Sequence, residues 1–283
     1  MDGLTPRLNL RYAFSEDWVI KGVFGKSARV FNPITENIKY FSSTQELNFE
    51  PEVEPLNRLE NGTNMGLNTV YKIQSEEGLE TSFSAEYYYT VFKDFNNVLM
   101  DNLGAISFAQ RSSGNWWGFG SSMTTQNALF QVKTNINTSL DLRVGYRYVD
   151  SKRPGVNGEI IQEWFVPKHR GFLNMGYHFE PAPEREWKFD FTLHTLGTQP
   201  LPSAWYGDKE SPAYIVANAQ INYIIGQFEF YLGSENLTDY KIPNPIRINT
   251  NESGEITDAM GYGSWGPVAG RNVYFGLTWN WGK

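Results

Sequence analysis

Apolar residues recur at every second position along this chain, from its first residues to its last. Between Trp187 and Leu193 each odd-numbered residue is large and apolar, and each residue between them is polar. The same spacing recurs between Leu140 and Tyr148 and between Val273 and Trp281. A period of two residues puts the apolar side chains on one face of a β-strand. The pattern therefore predicts an all-β fold.

The alternation predicts about eleven long strands joined by connections that are alternately short and long. The 14 prolines support these bounds, because all except Pro6 fall in the predicted connections and proline cannot sit inside a paired central strand. Short turns at one end and long loops at the other are typical of antiparallel transmembrane β-barrels, with the turns periplasmic and the loops extracellular. The predicted strands are 5–14, 18–29, 62–74, 79–95, 113–130, 137–150, 168–179, 186–198, 213–225, 228–238 and 270–281.

The aromatic content favours a membrane barrel over a soluble β-sandwich. Aromatic residues make up 16% of the chain, and tryptophans lie near the ends of predicted strands at Trp18, Trp187, Trp279 and Trp281. Rings at strand ends form the girdles of transmembrane barrels at the two membrane surfaces. We therefore expect the apolar face to contact membrane lipid.

Composition excludes several other classes of protein. The chain has no run of about 20 apolar residues, which a membrane-spanning helix requires. It contains no cysteine, which excludes cysteine-based metal or redox sites. A net charge of −7 and a pI near 5.1 argue against nucleic acid as a partner.

Five motifs carry a resemblance to one family. The run from Tyr231 to Tyr240, YLGSENLTDY, resembles a strand end in TonB-dependent outer-membrane receptors, and the run from Trp265 to Leu277 resembles their final strand. Three further matches follow the order of the same family, and together they resemble receptors of Bacteroidetes-type bacteria. These matches are Thr5–Tyr12, Tyr146–Asp150 and Val166–Arg170.

The resemblance implies a barrel of about 22 strands whose lumen is closed by an N-terminal plug domain. Residues 1–283 would supply the C-terminal part of that barrel, and the plug is expected to be absent from this chain. The implied location is the cell outer membrane, and the implied function is TonB-dependent uptake of a scarce solute such as a ferric siderophore, a metal complex, a vitamin or a glycan. The implied partners are outer-membrane lipid, the TonB energy-transducing complex through the plug, and the small-molecule ligand.

Two other functions remain open on the sequence. An outer-membrane barrel enzyme would need serine, histidine and an acid close together near the barrel rim, and the three histidines do not converge there. A soluble β-rich carbohydrate-binding domain would purify without detergent. We predict that the chain is not an enzyme and has no catalytic residues, no metal site and no cofactor.

Two groups of candidate site residues follow. Charged residues on the polar face are expected to form the lumen wall and to contact the plug. Aromatic residues in the long loops are candidate ligand contacts, although a loop tryptophan can equally pack the loop itself. The lumen-wall candidates are Arg143, Arg147, Lys188, Asp190 and Glu235, and the ligand candidates are Trp205, Tyr206, Tyr262 and Trp265.

Alternation also predicts which side chains face lipid and whether the barrel closes. Single-chain bacterial barrels have even strand numbers, so an odd set of eleven strands is expected to form a partial barrel. The residues expected to point outward are Leu142, Val144, Phe191, Leu193, Phe275 and Leu277, and those expected to point inward are Arg143, Asp190, Thr192 and Gly276.

Overall fold

The structure is a computed structural model in which every long element is a β-strand. It describes residues 4–30, 35, 47–49, 59–74, 80–100, 106–111, 130–137, 140–154, 159–202, 209–243, 247–250, 253–254, 256–260 and 264–281. Within these ranges no helix is long and apolar enough to cross a membrane. The strands are β1 (Arg7–Ala13), β2 (Trp18–Val30), β3 (Leu47–Phe49), β4 (Leu59–Gln74), β5 (Glu80–Met100), β6 (Ile106–Arg111), β7 (Phe130–Asn137), β8 (Leu140–Tyr148), β9 (Lys152–Pro154), β10 (Ile160–Gln162), β11 (His169–Ala182), β12 (Arg185–Leu196), β13 (Tyr214–Ile225), β14 (Phe228–Glu235), β15 (Arg247–Thr250), β16 (Ile256–Met260) and β17 (Asn272–Trp279).

Eleven strands form one continuous antiparallel ladder, which confirms the predicted fold class. The order across the ladder is β1-β2-β4-β5-β7-β8-β11-β12-β13-β14-β17, so the eleven ladder strands lie side by side in chain order and the short strands between them lie off the ladder. Among the described strands β1 pairs only with β2, and β17 pairs only with β14. The ladder is therefore open at both ends, as expected for a partial barrel.

One predicted turn was wrong. The turn predicted at 131–136 lies inside β7, Phe130–Asn137, whereas the strand predicted at 113–130 lies, except for its last residue, outside the described residues. The residues from Lys133 to Asn135 are three consecutive polar residues, and such a run predicts a turn rather than a strand. In the ladder Val132 lies opposite Val144, so the two-residue period continues through the polar run. Residues 112–129 lie outside the described parts of the chain.

The long connections contain short strands that the alternation did not predict. Strand β5 runs five residues past its predicted end and pairs with β6, and β6 also pairs with β3 in parallel. Two hairpins, β9–β10 and β15–β16, form within the connections that follow β8 and β14. Strands of three to six residues are too short to show a clear period.

The register places the two predicted groups of residues on opposite faces of the ladder. Leu142 and Phe191 both lie opposite Met175, which puts all three on one face. Arg143 and Thr192 both lie opposite Asn174 on the other face. We call the face with Met175 the outer face and the face with Asn174 the inner face. Large apolar side chains of the outer face are exposed, and Phe275 is 85% exposed.

Aromatic rings line the outer face at the end of the ladder with the short turns. Trp18 stacks on Phe14 with ring centroids 4.3 Å apart, and Trp187 lies 4.5 Å from Tyr223. Trp279 stacks on Phe228 at 6.0 Å. This row has the position expected of an interfacial girdle, where rings are amphipathic anchors.

On the inner face, glycines lie directly opposite aromatic residues. In each of these pairs the ring occupies the space that a Cβ on the glycine would take. Each ring therefore covers the backbone of the glycine opposite it on the neighbouring strand. The pairs are Gly66–Tyr88, Gly145–Phe172, Gly233–Tyr274 and Gly276–Tyr231.

Candidate functional site: the inner face and the loop-side rim

The register brings the predicted lumen-wall residues onto the inner face. Arg143 and Arg147 lie four residues apart on β8, and Lys188 and Asp190 lie two apart on β12. Glu235 ends β14 at the side with the long loops. All five share the inner face through the continuous pairing from β8 to β17. Whether these residues contact a plug stays a prediction.

Polar side chains on the inner face form hydrogen bonds with one another, both within a strand and across strands. Gln220 donates to Asn222 at 2.8 Å, and Asn222 donates to Glu229 at 2.5 Å. The hydroxyl of Tyr274 donates to Gln220 at 2.9 Å, and Asn174 donates to Thr192 at 2.9 Å. These bonds satisfy amide and carboxylate groups that would be costly on a face in contact with lipid. The inner face is therefore built as a polar wall.

An ion-pair cluster lies toward the short-turn end of the same wall. Glu186 accepts from Nδ1 of His178 at 3.2 Å through one oxygen, and its other oxygen lies 3.4 Å from Nζ of Lys188. Lys188 thus has a structural partner on its own strand. All three side chains keep appreciable exposure, so solvent screens the pairing.

At the end of the ladder with the long loops, Asn236 links strands β13 and β14 to the segment just before the final strand, β17. Its side-chain nitrogen donates to the carbonyls of Tyr240 at 2.7 Å and Ala269 at 3.1 Å. Its backbone N–H donates to the side-chain oxygen of Asn218 on β13 at 2.8 Å. Asn236 has a φ of 49°, a left-handed conformation that asparagine tolerates better than most residues. The asparagine of the ENLTDY run is therefore a connector.

Asp239 completes this connection. Its carboxylate accepts the backbone N–H of Arg271 at 2.8 Å, and the Arg271 guanidinium donates to the carbonyl of Leu237 at 2.7 and 3.1 Å. A Cβ on Gly270 would collide with the same carboxylate, so the close approach requires glycine there. The hydrogen bond from Arg271 holds the pKa of the Asp239 carboxyl below its ordinary value, with help from the charges of Lys241 and Arg271. The runs Tyr231–Tyr240 and Trp265–Leu277, which both resemble motifs of the TonB-dependent receptors, are therefore in direct contact.

A small core packs the bases of the long loops together. Its buried members are Leu201, Tyr214, Ile242 and Trp265, which come from four separate segments of the chain. The Trp265 carbonyl accepts from the Gln199 amide at 2.7 Å and from the Tyr214 hydroxyl at 3.2 Å. We call this cluster the loop-base core.

The loop-base core shows where one predicted ligand residue lies. Trp265 is 8% exposed, and its ring packs 5.9 Å from that of Tyr214. This packing favours the alternative that a loop tryptophan packs the loop, while a ligand contact for Trp265 stays a prediction. The other three ligand candidates, Trp205, Tyr206 and Tyr262, lie outside the described residues.

The hairpin β9–β10 stiffens the loop that follows β8. The Arg153 guanidinium lies 4.1 Å above the ring of Trp164 and 3.2 Å from Glu163. Asp150 pairs with Lys152 at 2.7 Å. Burial alone would raise the pKa of Asp150, but hydrogen bonds from Lys152 and Gln162 outweigh it and hold that pKa below its ordinary value. The bond to Asp150 raises the pKa of Lys152.

One residue of the inner face was missed by reasoning from sequence. Arg170 is the second residue of β11 and lies directly opposite Arg147. It was part of a motif match, VPKHR, but its position opposite another arginine depends on the register between two strands. Groups of three or more potential metal-ligating side chains do not occur among the described residues.

Comparisons with known proteins agree with this architecture. The family model for the β-barrel of TonB dependent receptor-like proteins matches residues 2–237. A search of curated proteins finds no significant match.

Solved structures with the same fold include three receptors described as siderophore or ferric-complex receptors, each much longer than this chain. The siderophore receptor PiuA from Acinetobacter baumannii is 15% identical, with a TM-score of 0.59 over 97% of this chain and 35% of that chain. The ferric-catecholate import receptor Fiu from E. coli K12 is 14% identical, with a TM-score of 0.56 over 96% and 34%. The ferric yersiniabactin uptake receptor FyuA from Yersinia pestis is 12% identical, with a TM-score of 0.58 over 96% and 36%.

At these identities the likeness to the three receptors concerns the fold alone, and the chain spans about a third of their length. The narrower resemblance to receptors of Bacteroidetes-type bacteria stays a prediction. The family match covers most of the chain, and the ladder has the apolar outer face, the polar inner face and the loop asymmetry of a membrane barrel. The chain therefore belongs to the family of TonB-dependent receptor β-barrels, which lie in the bacterial outer membrane.

Proposed function

We propose that residues 1–283 form the C-terminal part of the barrel of an outer-membrane receptor that imports a scarce solute with energy relayed by TonB. The observation that carries the proposal is the open ladder of eleven strands, with an exposed apolar outer face and a polar inner face. Free strand edges would present unbonded backbone groups to lipid, which is too costly to persist in a membrane. Further strands of the same receptor would pair with β1 and β17.

The solute that we favour is a ferric siderophore. The three structures compared above are named as siderophore or ferric-complex receptors, and this supports iron uptake without identifying the compound. Another metal complex, a vitamin or a glycan are the alternatives. The proposal includes a plug domain outside this chain, contact with TonB through that plug, and the absence of enzymatic activity.

The inner face would serve this function as the wall that holds the plug. Charges sheltered in a lumen need partners, and a plug would supply them for Arg143, Asp190 and Glu235. Lys188 has a partner in Glu186 already, so its contribution to plug contact would be smaller. In the loops, Trp205, Tyr206, Tyr262 and Trp265 remain the proposed ligand contacts.

Uptake by cells tests the proposal directly. Cells that lack the full-length receptor should lose accumulation of radioactive iron from at least one ferric siderophore of a panel, and cells that lack TonB should lose the same uptake. Restoring the receptor gene should restore uptake. Unchanged accumulation of every siderophore, vitamin and glycan offered would contradict the proposal.

A further inference from the structure

A groove on the outer face lies near the end of the ladder with the short turns. Its floor is formed by two small residues, Thr69 on β4 and Ala85 on β5, which lie directly opposite each other. Its wall is the next rung toward the short turns, where Trp18, Tyr71 and Phe83 lie side by side on β2, β4 and β5. The groove has a volume of about 540 Å³, and we call it the Trp18 groove.

The indole of Trp18 is fixed in the wall of the groove by two contacts. Its ring stacks on Phe14 with the ring centroids 4.3 Å apart, and its Nε1 donates to the Thr69 hydroxyl at 3.0 Å. That hydroxyl in turn donates to the backbone carbonyl of Val19 at 3.3 Å. The indole N–H and the hydroxyl are therefore both satisfied within the protein, and the groove presents apolar surface to its surroundings.

The position of the groove indicates which kind of molecule meets it. In a barrel of this family the outer face contacts lipid, and the short turns lie on the periplasmic side. On the side of the groove away from the turns, the next rung is Leu67 with Tyr87, so bulky side chains border the small floor on both sides. Such an apolar furrow offers water few hydrogen-bond partners and offers a flexible hydrocarbon chain close contact. The groove is thus continuous with the lipid-facing surface and suits an acyl chain.

The turn beside the groove is acidic. Glu16 and Asp17 directly precede Trp18, and both are exposed. The hydroxyl of Ser15 accepts the backbone N–H groups of Asp17 and Trp18 at 3.2 and 3.1 Å, which fixes the turn next to the groove. Lys72 on β4 belongs to the inner face, because side chains alternate along a strand. A lipid headgroup at this end of the groove therefore meets negative charge.

We propose that the Trp18 groove holds an acyl chain of a resident glycerophospholipid whose headgroup carries a primary ammonium, as in phosphatidylethanolamine. The carboxylates of Glu16 and Asp17 attract this ammonium and repel an anionic headgroup such as that of phosphatidylglycerol. A primary ammonium also donates hydrogen bonds to carboxylates, which the quaternary group of phosphatidylcholine cannot do. The proposal rests on the contact of the outer face with lipid and makes no use of the imported solute, so its failure leaves the proposed function intact.

Lipid binding to the purified full-length receptor tests the groove. The probes are dioleoyl phosphatidylethanolamine, phosphatidylglycerol and phosphatidylcholine, each titrated into receptor in detergent and counted by native mass spectrometry. We expect saturable binding of the ethanolamine lipid, about threefold tighter than that of the glycerol lipid. Ala85→Phe fills the floor of the groove and should weaken this binding about fivefold. The matched control is Ala219→Phe, which places the same ring elsewhere on the outer face, opposite Phe191, and should bind as the wild type does.

The headgroup preference is tested by a second pair of variants. Glu16→Gln/Asp17→Asn should bring the ethanolamine and glycerol lipids to equal affinity, and high salt should reduce the preference of the wild type. The control is Glu180→Gln/Glu184→Gln, which removes two exposed carboxylates beside the turn between β11 and β12 and should leave the preference unchanged. Heat-modifiable migration in gels checks that each variant has folded.

Cross-linking to the wild type keeps the test independent of any folding defect. A phosphatidylethanolamine with a diazirine in its acyl chain should label β4 and β5 more strongly than β13 and β14. The inference is overturned if the three lipids bind equally, if Ala85→Phe and Ala219→Phe lose the same affinity, or if the label spreads evenly over these strands. A receptor dimer that Ala85→Phe dissociates would also overturn it, because the groove would then hold a second copy of the receptor.

Discussion

The ring of Tyr231 on β14 lies over Gly276 on β17, directly across the strand pair, and fills the space of the missing Cβ. The reciprocal arrangement holds one rung along, where Tyr274 covers Gly233. A ring that covers the bare backbone of a glycine on the neighbouring strand stabilises the strand pair.

Replacing Gly276 with leucine should destabilise the barrel, because the new side chain displaces the ring of Tyr231. Overpacking of this kind costs about 1–3 kcal/mol. The measurement is urea unfolding of the full-length receptor in lipid vesicles. Gly22→Leu is the control, since Gly22 has nothing within 4 Å of its Cβ position. An equal loss of unfolding free energy in Gly276→Leu and Gly22→Leu would contradict the packing of Tyr231 on Gly276.

The Asp239–Arg271 connection should weaken in acid. The backbone hydrogen bond from Arg271 lowers the pKa of Asp239 in the folded protein. The stabilisation that the Asp239 carboxylate provides is therefore complete above the pKa of the unfolded state, and it is lost as the pH falls through the pKa of the folded state. Hydrogen exchange at the Arg271 amide should therefore accelerate as the pH drops from about 5 toward 3, beyond the intrinsic change in rate. Asp239→Asn keeps an acceptor oxygen without a charge, so its protection should not depend on pH in this range. If exchange at the Arg271 amide depended on pH no more in the wild type than in Asp239→Asn, the charge of Asp239 would have no role in this connection.

Trp265 should hold the loop bases together. Trp265→Ala removes the largest ring of the loop-base core, and such a truncation costs about 3 kcal/mol or more at a buried site. We expect faster proteolysis and faster hydrogen exchange in residues 197–213 and 239–271, with the strands of the eleven-stranded ladder unaffected. Val268→Ala is the matched control from the same loop, because Val268 is 56% exposed. Similar loop protection in both variants would show that the ring does not hold the loops.

Much of the ladder could be predicted from sequence because the strands are long and their period is regular. Strand β13 was placed within one residue at each end, and the two groups of residues lie on opposite faces of the ladder as predicted. Alternation fixes the face of a residue but leaves its partner on the next strand undetermined. For this reason Arg147 was expected on the inner face, whereas its position opposite Arg170 required the structure.

The parts that could not be predicted depend on contacts between distant segments or on sequences that resemble turns. Lys133 lies in a polar run that looked like a connection, and only pairing with β8 shows it as a strand residue. The burial of Trp265 depends on Leu201, which lies in another connection, and on Ile242, which lies on the other side of the β15–β16 hairpin in the same connection. The role of Asn236 depends on a carbonyl at residue 269, far along the chain.

The orientation of the two faces is the central claim, and a pair of arginine substitutions tests it most directly. Phe275→Arg places a charge on the outer face, where arginine near the middle of a bilayer costs about 2–4 kcal/mol. Thr192→Arg places the same charge on the inner face, where the neighbouring rung already carries Asp190. Folding of the full-length receptor into lipid vesicles, followed by heat-modifiable migration, measures both. We predict a large loss of folded receptor for Phe275→Arg and a small one for Thr192→Arg, and equal losses would contradict the assignment of the outer face to lipid.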